Sequence, residues 1–116
     1  PQLIAEIGDI TRFSHREALT AYAGVDPGVN ESGSFKSKSN SASKCGSSRL
    51  RKTLYLIMVS LLQTKPLDDP VYRFLDKKRM EGKPYHVYMT AGANKFLRIY
   101  YGTVKAYLRS LENPES

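Results

Sequence analysis

The sequence predicts a small all-α single domain of four or five helices, with a Ser/Lys-rich loop, or a short β-hairpin, set before a central helix. Three observations carry that expectation. Apolar residues recur at helical spacing in stretches bounded by capping residues and helix breakers. A length of 116 residues suits one domain with a modest core. A composition of 41% hydrophobic and 25% charged residues belongs to a folded chain and not to a disordered one.

Leu3, Ile4 and Ile7 lie at helical spacing, and Gly8-Asp9 closes that first helix. Thr11 or Ser14 can cap the next, and Ser14 with Glu17 has the spacing of a Ser-x-x-Glu capping box. Leu19, Tyr22 and Ala23 form its inner side, while Phe13 staples onto Ala18 or a neighbouring helix. Gly24 sits where a C′ glycine belongs, and Pro27 prevents continuation. From Ser34 to Ser48 the chain is mainly Ser, Lys and Asn, residues whose side chains compete with helical hydrogen bonds. A helix then starts at Ser47 or Ser48 and carries Leu50, Leu54, Ile57, Met58, Leu61 and Leu62. After Thr53 it is apolar on most of its circumference, so it is expected to be buried all round as the central beam of the domain. Lys65-Pro66 stops it.

Asp68-Asp69-Pro70 has the form of an N-cap followed by proline at the first helical position, opening a helix to about Met80. Capping is favoured there over metal binding, with Val71, Phe74 and Leu75 inside and Arg73, Lys77, Lys78 and Arg79 outside. Gly82 breaks the chain, and Pro84 opens a last helix to about Leu111. Val87, Ala91, Leu97, Val104 and Leu108 form its inner stripe; Tyr85, Tyr88, Tyr100, Tyr101 and Tyr107 add aromatic surface. The domain proper is expected over 1–112, with 113–116 a frayed tail.

The net charge of +7 is unevenly placed. Residues 1–31 carry −3, residues 32–67 carry +7 with no acidic side chain, and residues 68–116 carry +3. A localised excess of that size suggests a polyanionic partner as readily as a solvated lysine face. No apolar run approaches the roughly 20 residues of a membrane helix, and no signal peptide is visible. The single Cys45 cannot form an internal disulfide, which fits a reducing compartment. His15 and His86 have no Cys partners at ligand spacing, so no zinc site is expected. Neither a Ser-His-Asp spacing pattern nor a G-x-S-x-G elbow is present, which leaves acyl hydrolysis almost without support.

The stretch from Ser32 to Leu54 joins a Ser-Gly turn, a polar loop and a basic helix start. Gly33 suits a sharp bend, and a serine beside it is held on a turn and not in a core. Lys44, Arg49, Arg51 and Lys52 gather near the helix amino end, which attracts anions through free N–H groups and the macrodipole. Phosphate is the natural guest, and arginine grips it in a bidentate fork.

The order Phe13, Leu19, Ala21-Tyr22-Ala23-Gly24-Val25, Pro27, Ser32-Gly33, Ser43-Lys44, Gly46, Leu50-Arg51 and Leu54 resembles the carboxy-terminal domain of IS110-type insertion-sequence transposases, over about positions 3–110. The resemblance implies DNA transposition by a serine recombinase, with Ser32 as the nucleophile that forms a covalent phosphoserine-DNA intermediate. It implies a basic DNA-binding segment at Lys36, Lys38, Lys44, Arg49, Arg51 and Lys52, with Gly33 and Gly46 as turn residues. It further implies no cofactor in this domain, Mg²⁺ held by a RuvC-like amino-terminal domain, and a structured guide RNA as a further partner. A homo-oligomer in the bacterial cytoplasm, at the nucleoid, completes the picture. Two features depart from the pattern: 36–41 is richer in Ser and Lys, and the chain opens after the family's usual Pro-Gly-Ile-Gly turn. The chain therefore reads as one domain of a longer protein, inactive without its partner domain. Two competing expectations stand beside it. One is a non-catalytic module gripping phosphate backbones through 36–52, and the other an interaction domain using the tyrosine-rich last helix.

Overall fold

The computed structural model describes residues 2–26 and 47–112. Among them are five α-helices and no strand: α1 (Gln2–Ile7), a 3-10 turn (Ile10–Arg12), α2 (Arg16–Ala23), α3 (Ser48–Thr64), α4 (Pro70–Met80) and α5 (Tyr85–Glu112). The all-α expectation holds. The expected hairpin, the tail 113–116, Cys45, Ser32, Gly33, Lys36, Lys38, Lys44 and Gly46 lie outside the described residues.

The organising element is α5 and not α3. It packs against α2, α3, α4 and the 3-10 turn, and it buries Tyr88, Met89, Ala93, Leu97 and Tyr101. Around it close Ile7, Ile10 and Phe13, then Leu19, Ala23 and Val25, then Leu50, Leu54 and Met58, and finally Val71 and Leu75. The expectation that α3 is buried all round fails: it buries only Leu50, Leu54 and Met58, and Leu56 is 62% exposed. The physical reason is scale. A domain this small has too few helices to surround one of its own, so an apolar residue on the outer face simply stays in water. Val87, assigned to the inner stripe of α5, is likewise exposed. Of the tyrosines of α5, Tyr88 and Tyr101 are buried, as is commoner for tyrosine than an open stacking surface, and Tyr85 and Tyr107 are exposed.

Polar groups pin these contacts. The Tyr101 hydroxyl donates to the Phe13 carbonyl at 2.9 Å, the Asn94 side-chain amide donates to the Val25 carbonyl at 3.1 Å, and the Tyr55 and Thr90 hydroxyls meet at 2.8 Å. Phe13 is extended, with φ −106° and ψ 120°, and its ring tilts against Tyr22 at 5.4 Å. The anchored, extended Phe13 delays the next helix, so neither Thr11 nor Ser14 caps α2. His15 does, its Nδ1 accepting the Ala18 N–H at 3.2 Å. Asp9 caps the 3-10 turn instead, accepting from the Thr11 backbone N–H and hydroxyl, and those bonds hold its carboxyl below the usual range.

At α4 the capping expectation is met. Asp69 Oδ1 accepts the N–H groups of Val71 at 2.8 Å and Tyr72 at 3.0 Å, with Pro70 opening the helix. Replacing Asp69 by alanine is expected to cost about 1 kcal/mol, read as a lower urea midpoint. The exposed neighbour Asp68 should be nearly neutral to the same change.

Two glycines of α5 differ in their reason for being there. At Gly92 a Cβ would stand 2.5 Å from Leu75 Cδ2 and 3.2 Å from Met58 Sδ, so the crossing of α5 with α3 and α4 requires its absence. At Gly102, exposed on the same helix, a Cβ would meet nothing within 4 Å. Glycine there costs about 1 kcal/mol relative to alanine, and packing does not explain it.

Candidate nucleic-acid interface

The end of α2 and the start of α3 are joined directly. Gly24 takes the left-handed conformation at φ 75° and closes α2. The Tyr22 carbonyl near that end then accepts the Ser47 N–H at 2.8 Å. Ser47 in turn caps α3, its hydroxyl accepting the Leu50 N–H at 3.0 Å. The described chain therefore leaves α2 through Val25 and Asp26 and returns at Ser47 beside the point of departure.

Three expected cations stand on the first turns of α3: Arg49, Arg51 and Lys52, all exposed. No acidic residue occupies the first turn of that helix, so the helix end and the side chains add fields of one sign. The three do not share one face. Arg49 and Lys52, three positions apart, line a groove of about 480 Å³ with Gln2, Thr53, Leu56 and Ser60. Arg51 lies on the α2 side, where a Cβ on Gly24 would come 2.5 Å from its Nη1. Arg51 thus crosses the glycine that closes α2, while Arg49 and Lys52 face α1 from the same amino end of α3.

Arg12 was not legible as a structural residue. It donates twice to the Ile7 carbonyl, at 3.1 and 2.8 Å, and its guanidinium lies 4.7 and 4.9 Å from the Phe13 and Tyr22 ring centres. It ties the end of α1 to α2 instead of facing a ligand. The basic side of α4 is partly neutralised, since Arg79 pairs with Asp76 at 2.6 Å and Lys78 with Glu81 at 3.6 Å. The hydrogen bond from Arg79 to Asp76 raises the arginine's pKa further. Arg98, Lys105 and Arg109 of α5 form a further cationic face outside 32–67, signalled in the sequence by their helical spacing. Among the described residues no three of His, Cys, Asp and Glu come together to hold a metal ion, and no helix is long and apolar enough to cross a membrane.

Fold and charge define a small all-α domain with a cationic helix amino terminus, equipment suited to a phosphate backbone. The family model described as Transposase IS116/IS110/IS902 family matches residues 1–73, and the chain belongs to that family. It is thereby a DNA-recombining enzyme by family, with DNA its partner. The match takes in α1 to α3 and the start of α4; the rest of α4 and all of α5 fall outside it. No curated protein and no solved structure matches the chain.

Proposed function

We propose that this domain supplies a serine nucleophile for DNA strand exchange, and that Ser32 is that residue. The observation that carries the reading is the α2–α3 junction. The segment that bears Ser32 departs from and returns to one place, and that place is the amino end of α3 flanked by Arg49, Lys52 and Arg51. A serine hydroxyl attacks a phosphodiester only where nearby positive charge stabilises the alkoxide and the pentacoordinate phosphorus it forms.

In the proposed step Ser32 Oγ bonds to the scissile phosphorus and the bond from phosphorus to the 3′ oxygen breaks. The serine proton ends on that oxygen, leaving a 3′ hydroxyl and a phosphoserine joined to the 5′ side. The phosphoester is conserved in number, so attack by a 3′ hydroxyl of another strand reverses the step without a nucleotide cofactor. Lys36, Lys38, Lys44, Arg49, Arg51 and Lys52 neutralise the strand being held, while Gly33 and Gly46 supply the turns. The described residues offer no carboxylate set for Mg²⁺. We place that ion with carboxylates of a RuvC-like domain outside these residues, where it would supply further charge neutralisation. Activity is proposed for the whole homo-oligomeric transposase at the bacterial nucleoid, with a structured guide RNA, and not for this domain alone.

The test uses the intact transposase with Mg²⁺ and a nicked DNA that carries the recombination junction and cannot religate, followed by mass spectrometry of the adduct. An adduct on the Ser32 peptide is expected, and Ser32→Ala should abolish both adduct and recombination. Strand cleavage with no adduct, or recombination that survives Ser32→Ala, would leave the domain as a non-catalytic phosphate-gripping module.

A further inference from the structure

At the opposite end of α2 from Arg51, about 12 Å along the helix, lies a second cationic concavity of about 540 Å³. It uses none of the residues of the first. Arg16 at the amino end of α2 forms one wall, and α5 forms the other with Arg98, Lys105 and Arg109. Positions 98, 102, 105 and 109 are spaced four, three and four apart, which puts them on one face of a helix over about 16 Å. Lys105 lies 5.6 Å from the centre of the Tyr101 ring, whose buried hydroxyl is fixed to Phe13. The Arg98 end of the stripe is therefore mounted on the firmly packed part of α5, and Lys105 and Arg109 continue it beyond Tyr101.

The charges in this concavity are largely uncompensated. Its one carboxylate is Glu17, 3.4 Å from Arg16 Nε and 3.3 Å from His15 Nδ1. That imidazole nitrogen already accepts from Ala18, so it does not donate to Glu17. The backbone N–H of Glu17 and, more weakly, the charge of Arg16 hold the Glu17 carboxyl below its ordinary pKa. It stays ionised and balances Arg16. Arg98, Lys105 and Arg109 make no ion pair among the described residues.

Gly102 is the second, independent observation. It forms the open floor between Arg98 and Lys105, and no atom of the fold needs the space its missing side chain leaves. An exposed helical glycine without a packing reason, ringed by cations, suits a surface on which something charged approaches the helix backbone closely.

We propose that this concavity is a second phosphodiester-binding surface, which takes the backbone of a nucleic-acid strand passing between the amino end of α2 and the 98–109 face of α5. Binding here needs no chemistry at Ser32. Cations at 98, 105 and 109 along one linear stripe, with the bare helix backbone of Gly102 between the first two, match an extended strand carrying a charge on every unit better than they match an acidic protein surface of mixed side chains. DNA and RNA present the same phosphodiester, and the probes distinguish them.

The experiment measures fluorescence anisotropy of the intact protein with a labelled DNA duplex and a labelled RNA hairpin as salt rises from about 50 to about 200 mM. The triple change Arg98→Ala/Lys105→Ala/Arg109→Ala should lower the slope of log affinity against log salt by about 2.7, near 0.9 per phosphate contact. Gly102→Gln should raise Tm, because it improves the helix, and yet weaken binding. The change Arg49→Ala/Arg51→Ala/Lys52→Ala should remove a separate portion of the slope, and the two losses should add. A loss confined to the duplex assigns the surface to DNA, and a loss confined to the hairpin assigns it to RNA; either supports the proposal. A folded triple variant with the wild-type slope on both probes overturns it. So does competition by polyglutamate as effective as by nucleic acid, or a Gly102→Gln variant that gains stability and loses no affinity. Ser32→Ala should leave every slope unchanged, so failure of the serine chemistry and failure of this surface are read separately.

Discussion

Replacing Leu54 by alanine is expected to cost about 3 kcal/mol of folding free energy, a large share of what a domain of this size possesses. Leu54 is fully buried, in the cluster that α3 shares with α5 and α1, so the loss combines transfer of its methyl groups with the cavity left behind. The urea midpoint should fall with an unchanged m value, the mark of lost stability without a change in the unfolded state. Leu56, two residues away and mostly exposed, is the control, and Leu56→Ala should stay within about 0.5 kcal/mol of wild type. If the two substitutions cost the same, the assignment of faces on α3 is wrong. Because α3 carries Arg49, Arg51 and Lys52 on its first turns, loosening its seat should also weaken the DNA binding proposed for them, in proportion to the unfolded fraction.

Gly92→Leu is expected to be comparably damaging, for the opposite reason. Even a single added carbon would meet Leu75 Cδ2 and Met58 Sδ, and both side chains are fully buried. Overpacking of this kind costs about 1 to 3 kcal/mol for modest additions, and a four-carbon side chain should reach or exceed the upper figure. The better helix propensity of the new residue recovers only about 1 kcal/mol of that. Gly102→Ala makes the informative comparison. The same kind of change in the same helix should raise Tm, because nothing there is displaced. Thermal unfolding of both variants would test the placement of α5, since positions 92 and 102 lie about 80° apart around the helix and a rotation of about a quarter of a turn would carry Gly102 inward.

The residues that start and stop helices were the most legible part of the sequence. Ser47 capping α3, Asp69-Pro70 opening α4 and Gly24 closing α2 are local decisions, made by side chains within three residues of the backbone groups they satisfy. The choice of His15 over Ser14 as a cap was not local: it depends on Phe13 being held extended by Tyr101, 88 residues away along the chain. The same distinction separates the two views of α3. Its apolar content could be read directly, but which of its faces would be covered depended on how few helices the domain has. At the candidate site the cations of α3 could be counted from sequence. Helical spacing already parts Arg51 from Arg49 and Lys52, but that Gly24 lies under its guanidinium could not be read, because only the contact of α2 with α3 shows it.

The uneven cover along α5 has a consequence in time as well as in space. Between Tyr88 and Tyr101 the helix is held by buried side chains and by hydroxyl bonds from distant segments, while beyond Gly102 it keeps only half-buried Val104, Lys105 and Leu108 on its inner side. Amide hydrogens in the first stretch exchange only when much of the domain opens, whereas those of the last two or three turns exchange through local opening at far lower free energy. One continuous helix thus spans two regimes of stability. Arg98 is carried on the part that holds its shape, and Arg109 on the part that can unwind and reform around whatever it touches.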